Sequence, residues 1–175
     1  HESVLTPFRN GEADILIGTQ MIVKGHDFPN VTLVAALAAD MSLYAGDYRS
    51  SERTFELLMQ ASGRAGRAEK AGEVVIQTYN PEEYSIQAVA GQDAEYFYEN
   101  ELAFRRLMKY PPYSQMAAIL ILSEEENEAK TLSEKLAENI HSVCGDAVTL
   151  IGPSKAGLSR AKDRYRYVLY LSLIH

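Results

Sequence analysis

Two arginines three residues apart, Arg64 and Arg67, sit in the segment QASGRAGR at 60–67. A guanidinium is planar, permanently charged and presents a fixed fork of donors, so a closely spaced pair suits phosphate oxygens. Gly63 and Gly66 break a preceding helix and let the backbone approach a ligand closely. Taken alone, the same residues also describe a basic surface turn. A second segment, GTQMIVKGHDFPNV at 18–31, lies about forty residues upstream, directly after a short apolar run. In open α/β sheets ligands gather at the carboxyl ends of strands. Thr19 and Gln20 are therefore placed to meet a nucleic-acid backbone, and Asp27 to accept from a ribose hydroxyl. Read by itself, a purely structural loop explains this segment equally well.

A third cluster spans 155–166, where Lys155, Arg160, Lys162, Arg164 and Arg166 oppose only Asp163, a local balance of +4 in a chain of net charge −7. Interleaved with Tyr165 and Tyr167, these cations fit phosphate pairing and base stacking on single-stranded DNA. The alternative is a solvated hairpin edge on which cations block strand-to-strand association.

The elements that must hold these residues can be read from periodicity. Apolar runs at 13–17 and 31–39 are sized for buried strands, Phe55, Leu58 and Met59 recur at helical spacing within 51–62, and 73–78 is another β-rich run. That alternation predicts a parallel α/β sheet. Asn80-Pro81 followed by Glu82-Glu83 starts a helix, and from 92 to 109 acids come early and bases late, as the helix dipole favours. Pro111-Pro112 stops that helix. Beyond it, a strand at 116–122, a capping box at Ser123–Glu126, a helical stripe of Ala129, Leu132, Leu136, Ile140 and Val143, and strands at 147–151 and 165–174 make a small α+β domain. In the last strand Tyr165, Tyr167, Leu169, Leu171 and Leu173 share one face. The expected organisation is an α/β lobe at 1–80, a helical connection at 81–112 and the α+β domain at 113–175.

Composition narrows the function classes. With 175 residues and 46% hydrophobic content the chain can bury a real core. Its acidity, with a pI near 5.1, opposes a protein coated by nucleic acid over its whole surface, so any such contact is local. Cys144 is the one cysteine, which excludes an intrachain disulfide or cysteine-based zinc cluster and favours a reducing cytoplasm. No apolar run approaches a membrane span and no signal pattern opens the chain. His1, His26, His141 and His175 are scattered, so no metal site is expected. The start without Met and the end inside a strand-like run suggest a piece of something longer. The sequence contains no G-x-x-x-x-G-K-[ST] phosphate loop and no Asp-Glu segment of the Walker-B kind. On its own it is expected not to hydrolyse ATP.

Together and in this order, the segments at 18–31 and 60–67 resemble motifs V and VI in the second RecA-like lobe of superfamily 2 helicases. QTYNP at 77–81, FRRLMKYPPY at 104–113, IGP at 151–153 and RYRY at 164–167 are similar to the primosomal protein N′ (PriA) family of replication-restart helicases. The resemblance implies a partial second RecA-like lobe and the C-terminal portion of an ATP-dependent 3′-to-5′ DNA helicase that acts at stalled forks. It makes Arg67 and Arg64 arginine fingers and Gln60 a γ-phosphate sensor, lines the nucleotide cleft with Gly25 and Asp27, and sets Thr19, Gln20 and Lys24 along the DNA track. It also implies ATP with magnesium, and as partners forked and single-stranded DNA, single-stranded-DNA-binding protein and other primosome proteins. The family's zinc-binding insertion has no counterpart in this chain. A RecG-like translocase would share GRAGR but not the KYPPYS and GPSKAGLSR segments. A rival of another class is a non-enzymatic module that binds DNA or protein, in which Arg160, Lys162 and Arg164 would carry the DNA contact.

Overall fold

Leu33–Ala36 (β1) and Glu73–Ile76 (β2) pair as parallel strands in register, Leu33 opposite Glu73, in the computed structural model, which describes residues 2–19, 28, 30–44, 46–66 and 72–173. The chain divides into two compact units, 1–98 and 99–175. The mixed α/β class expected from the sequence is the class observed, with a parallel pair in the first unit and an antiparallel sheet in the second.

Three of the expected elements of the first unit differ. Residues 13–17 form no strand: Ile15 and Ile17 are 77% and 88% exposed, because no described strand offers them a ladder to join. An apolar run becomes a strand only when a neighbour satisfies its backbone. The helix α1 (Glu2–Arg9), which the sequence reading missed, precedes them and buries Leu5. The run 31–39 shortens to β1 because Ala38 turns left-handed, with φ 50°, into the 3-10 turn Ala39–Ser42. The run 73–78 ends at Ile76, since Gln77 and Thr78 turn to side-chain bonding across the sheet.

Helix α2 (Ser50–Ser62) buries Phe55, Leu58 and Ala61. Phe55 and Leu58 join Ala39, Ile86, Ala88, Val89 and Phe97 in one core, where Phe55 and Phe97 stack with ring centroids 4.1 Å apart. Helix α3 (Tyr84–Gly91) begins beyond the expected proline start, because residues 80–83 form a turn in which the Glu83 N–H donates to the Asn80 carbonyl at 3.2 Å. Helix α4 (Ala94–Met108) opens on Asp93, whose carboxylate accepts the Tyr96 N–H at 2.9 Å. It ends where Lys109 turns left-handed, at φ 54°, ahead of the prolines.

In the second unit β3 (Gln115–Ser123), β4 (Thr149–Ala161) and β5 (Arg164–Leu173) form an antiparallel sheet in the order β3-β5-β4, with α5 (Glu126–Cys144) on one face. The expected capping box does not form. Ser123 is still the last residue of β3, two residues ahead of the N-cap Glu125. Its hydroxyl instead accepts the Glu125 N–H at 3.1 Å and donates to the Glu128 carboxylate. The stripe also shifts: Ala129, Leu136 and Ile140 pack inward with Ser133 and Ala137, whereas Leu132 and Val143 are exposed. The alternation of β5 holds as far as Leu171, with Tyr165, Tyr167, Leu169 and Leu171 facing the core beneath α5, whereas Leu173 at the strand's end is exposed. Strand β4 runs ten residues past its expected end at 151, through the basic stretch, pairing with β5 across two register shifts. The charged sequence there carried no apolar alternation to reveal it.

Candidate nucleotide and nucleic-acid site

The carboxyl ends of β1 and β2 are tied together by side chains from the QTYNP segment. The Gln77 amide oxygen accepts the Ala38 N–H at 2.6 Å, and the Ala39 N–H donates to the Gln77 carbonyl at 3.1 Å. Buried Asp40 accepts the Thr78 hydroxyl and, at 2.8 Å, the Tyr79 N–H. These donors hold the Asp40 carboxyl below the ordinary carboxylate range, the Thr78 hydroxyl contributing most. Asp40 was missed in the sequence; an acid directly at the end of an apolar run was the available signal.

Helix α2 runs into the QASGRAGR segment. Its last turn closes with Gly63 N–H donating to the Met59 carbonyl at 3.0 Å, and Arg64 and Ala65 continue as turns on Ala61 and Ser62. Gly66 then takes φ 70°, and its N–H donates to the Val31 carbonyl at 3.1 Å, which fixes the loop to the residue leading into β1. Returning to β2, Gly72 passes so close that a Cβ there would lie 2.2 Å from the Gly66 nitrogen, so only glycine fits. Gln60 is exposed on the last turn of α2, and Arg64 is half-buried with its Nε withdrawn from solvent. Arg67 lies outside the described residues.

From the upstream motif, Thr19 is exposed at the end of an irregular stretch, while Gln20, Lys24, Gly25 and Asp27 lie outside the described residues. Beyond them Phe28 packs edge-on against Phe8 of α1, centroids 5.1 Å apart, and its carbonyl accepts the Val31 N–H. Phe28 and Gly66 thus both bond to Val31, at the amino-terminal side of β1.

The basic stretch 155–166 is a hairpin arm. Lys162 and Asp163, with φ of 50° and 57°, make the left-handed two-residue turn that matches strand twist. Lys155 pairs with Glu126 of α5 at 2.5 Å, and that carboxylate raises the amine above the ordinary lysine value. Arg160 lies 3.4 Å from Asp163 and over the Tyr165 ring. Stacking of DNA bases on Tyr167 is ruled out by packing: Tyr167 is 8% exposed beside Leu169 at 0%, and Tyr165 is half-buried in the same core. No cluster of three metal-ligating side chains occurs among the described residues, and no helix among them is long and apolar enough to cross a membrane.

Residues 1–69 match the family model of the helicase conserved C-terminal domain, and residues 106–173 match that of the primosomal protein N C-terminal domain. The chain is 52% identical over 167 residues, 95% of its length, to the replication restart protein PriA of Bacillus subtilis (strain 168), covering 21% of that relative. Against the protein of the same name from Synechocystis sp. it is 41% identical over 169 residues, 97% of this chain and 20% of the relative. Identity to that of Borreliella burgdorferi is 37% over 169 residues, 96% of this chain and 26% of the relative. The chain belongs to the PriA family. It spans about a fifth of the length of the first two of these relatives.

Two of the segments that carried the PriA resemblance have structural duties. QTYNP builds the Asp40 clasp, and FRRLMKYPPY closes the end of α4: Arg105 pairs with Glu101 at 2.6 Å and donates to the Pro111 carbonyl at 3.3 Å, while the Ser114 hydroxyl donates to the Lys109 carbonyl. The Asp40 clasp predicts a pH signature. A carboxyl whose folded pKa is depressed stabilises the fold above its unfolded value and loses that contribution as pH falls through the folded one. Asp40→Asn is therefore expected to lower the thermal unfolding midpoint at neutral pH, with the gap between variant and parent narrowing below about pH 4. Differential scanning calorimetry across that range checks it; a gap that stays constant with pH refutes the role.

Proposed function

We propose that this chain is the arginine-finger side of an ATP-dependent 3′-to-5′ DNA helicase acting in replication restart and primosome assembly. The observation that carries the reading is the stretch from Gly63 to Gly66, whose Gly66 N–H bonds the Val31 carbonyl two residues ahead of β1, within a match to the helicase C-terminal domain. Arg64 and Arg67 are proposed to neutralise charge developing on the transferred phosphoryl group, and Gln60 to sense the γ-phosphate. Gly25 and Asp27 line the nucleotide cleft in this reading, and Thr19, Gln20 and Lys24 follow the DNA backbone. ATP with magnesium supplies the phosphoryl group and its charge compensation; this chain contributes guanidinium donors, and its sequence lacks the phosphate-cradling loop. Forked and single-stranded DNA, single-stranded-DNA-binding protein and other primosome proteins are the proposed partners, in the cytoplasm.

The reading is tested by comparing lengths. A full-length protein bearing this sequence is expected to hydrolyse ATP under stimulation by single-stranded DNA and to unwind a forked duplex. The 175-residue chain is expected to hydrolyse at the blank rate and to show no saturable ATP binding by calorimetry, because the backbone cradle that gives most phosphate affinity is missing. Hydrolysis by the short chain, or a full-length protein inert towards ATP and forks, overturns it.

A further inference from the structure

Arg64 and Arg67 are separated by two residues, Ala65 and Gly66, so whatever fixes that short backbone also fixes where both arginine side chains begin. Backbone hydrogen bonds hold it to two places. Arg64 N–H donates to the Ala61 carbonyl at 3.0 Å and Ala65 N–H to the Ser62 carbonyl at 3.2 Å, both at the end of α2. Gly66 N–H donates to the Val31 carbonyl, ahead of β1. A further support comes from Gly72, which is remote from both arginines in its own chemistry and has no side chain to offer.

The close approach of Gly72 follows from the bonds on either side of it. Gly66 donates to Val31, and Glu73 donates to the neighbouring Thr32 carbonyl at 2.8 Å. Adjacent Cα atoms are about 3.8 Å apart, so the residue before Glu73 is drawn against the residue bonded to Val31. A Cβ on Gly72 would lie 2.2 Å from the Gly66 nitrogen, 2.4 Å from the Ala65 carbonyl carbon and 2.6 Å from the Gly66 Cα. All three are backbone atoms, and no rotamer change relieves the overlap. Restoring ordinary contact needs a backbone shift of about 1 Å. At Gly63, by contrast, a Cβ would meet the Met59 and Gln60 carbonyl oxygens at 3.6 and 3.8 Å, which requires no movement.

We infer that Gly72 is a positioning residue for the arginine pair: its missing side chain lets the start of β2 lie against Ala65 and Gly66 and so sets the reach of both guanidinium groups. The inference rests on the arginine-finger reading and adds to it a residue outside the GRAGR segment. Transition-state stabilisation depends on placement, and a misplacement of about 1 Å can cost about a hundredfold in rate. In the same reading the ATP phosphates are held outside this chain, so the shift leaves nucleotide affinity alone.

The test uses a full-length PriA-family protein bearing this sequence, assayed at saturating single-stranded DNA. Gly72→Ala is expected to lower kcat about a hundredfold while the KM for ATP stays near the parent value. Gly91→Ala, whose Cβ would meet the Asp93 Cβ at 3.8 Å, should keep the parent rate. Because a loss of folded protein also lowers kcat, a double-mutant cycle decides between the two causes. Added to Arg64→Ala with Arg67→Ala, Gly72→Ala should cost little more, whereas a general loss of folded protein multiplies the two effects. In the 175-residue chain, amide exchange followed by NMR should find the Gly66 N–H protected in the parent and unprotected in Gly72→Ala. The Gln77 N–H, bonded to the Ala36 carbonyl at 2.9 Å, should stay protected in both. Parent-like turnover in Gly72→Ala, losses that multiply in the cycle, a Gly66 amide unprotected in the parent or unchanged in the variant, or a Gly72→Ala chain that does not fold would each overturn the inference, the last by giving the glycine a purely structural role. Arg67→Ala at the parent rate removes the arginine-finger reading and this inference with it. A slow Arg67→Ala beside a parent-like Gly72→Ala removes the inference alone.

Discussion

Replacing Arg67 with alanine in a full-length PriA-family protein bearing this sequence is expected to leave ATP binding nearly intact and to lower DNA-stimulated hydrolysis about a thousandfold or more. The asymmetry follows from where the guanidinium acts. In the proposed reading the ground-state phosphates would be held by a lobe outside this chain, so removing a finger would cost little affinity. As the γ-phosphoryl group detaches, charge spreads over its oxygens, and a donor placed there stabilises the transition state alone. Arg64→Ala is expected to lose turnover too, with a second effect on folding. Arg64 is half-buried at the end of α2, and its Nε is withdrawn from solvent, so truncation also removes packing. Steady-state turnover at saturating single-stranded DNA separates the two substitutions. Parent-like rates in Arg67→Ala would remove the arginine-finger assignment while leaving family membership untouched.

Elements differed in how far local sequence announced them, according to whether they depend on distant partners. GRAGR stands out in the sequence because glycine recurs between arginines, and at Gly66, with φ 70°, the backbone itself asks for glycine. The β5 alternation was equally plain, since a central strand with one face on a helix repeats every second residue. By contrast, residues 13–17 have strand composition and no strand, because pairing depends on a neighbour that local sequence does not encode. The extension of β4 from 152 to 161 failed in the opposite direction: β5 supplies the ladder for a stretch whose own residues are charged or small. Tyr167 shows the cost of reading composition without direction. Basic residues beside tyrosines suggested stacking, yet register sends Tyr167 inward and leaves Tyr170, outside the basic stretch, on the open face. At Asp40 the sequence offered only an acid at the end of an apolar run, since its role lies in donors from Thr78 and Tyr79, nearly forty residues away.

Glu101→Ala is expected to destabilise the second unit by about 3–5 kcal/mol, the range for deleting one member of a buried ion pair. Glu101 and Arg105 lie one helical turn apart on α4, their side chains 5% and 12% exposed, with Arg105 Nε 2.6 Å from Glu101 Oε1. Little solvent screens them, so the pair differs from the exposed Lys130–Glu134 pair on α5, whose N–O separation is 3.9 Å. Arg105 also donates from Nη1 to the Pro111 carbonyl, and its own carbonyl accepts the Tyr110 N–H at 2.8 Å. The guanidinium therefore pins the chain reversal that carries α4 into β3, and removing Glu101 takes away the carboxylate that orients it. Glu101→Gln retains an acceptor of the same shape and should cost less than alanine, since it loses the charge but keeps the hydrogen bond. The double variant Glu101→Leu, Arg105→Met should be less destabilised than Glu101→Ala, because no charge is then left buried. Urea unfolding of the 175-residue chain, followed by far-ultraviolet circular dichroism, gives all three. If Glu101→Ala stays within about 1 kcal/mol of the parent, as an exposed pair would, the clasp contributes nothing. The FRRLMKYPPY segment would then need another explanation than the turn it closes.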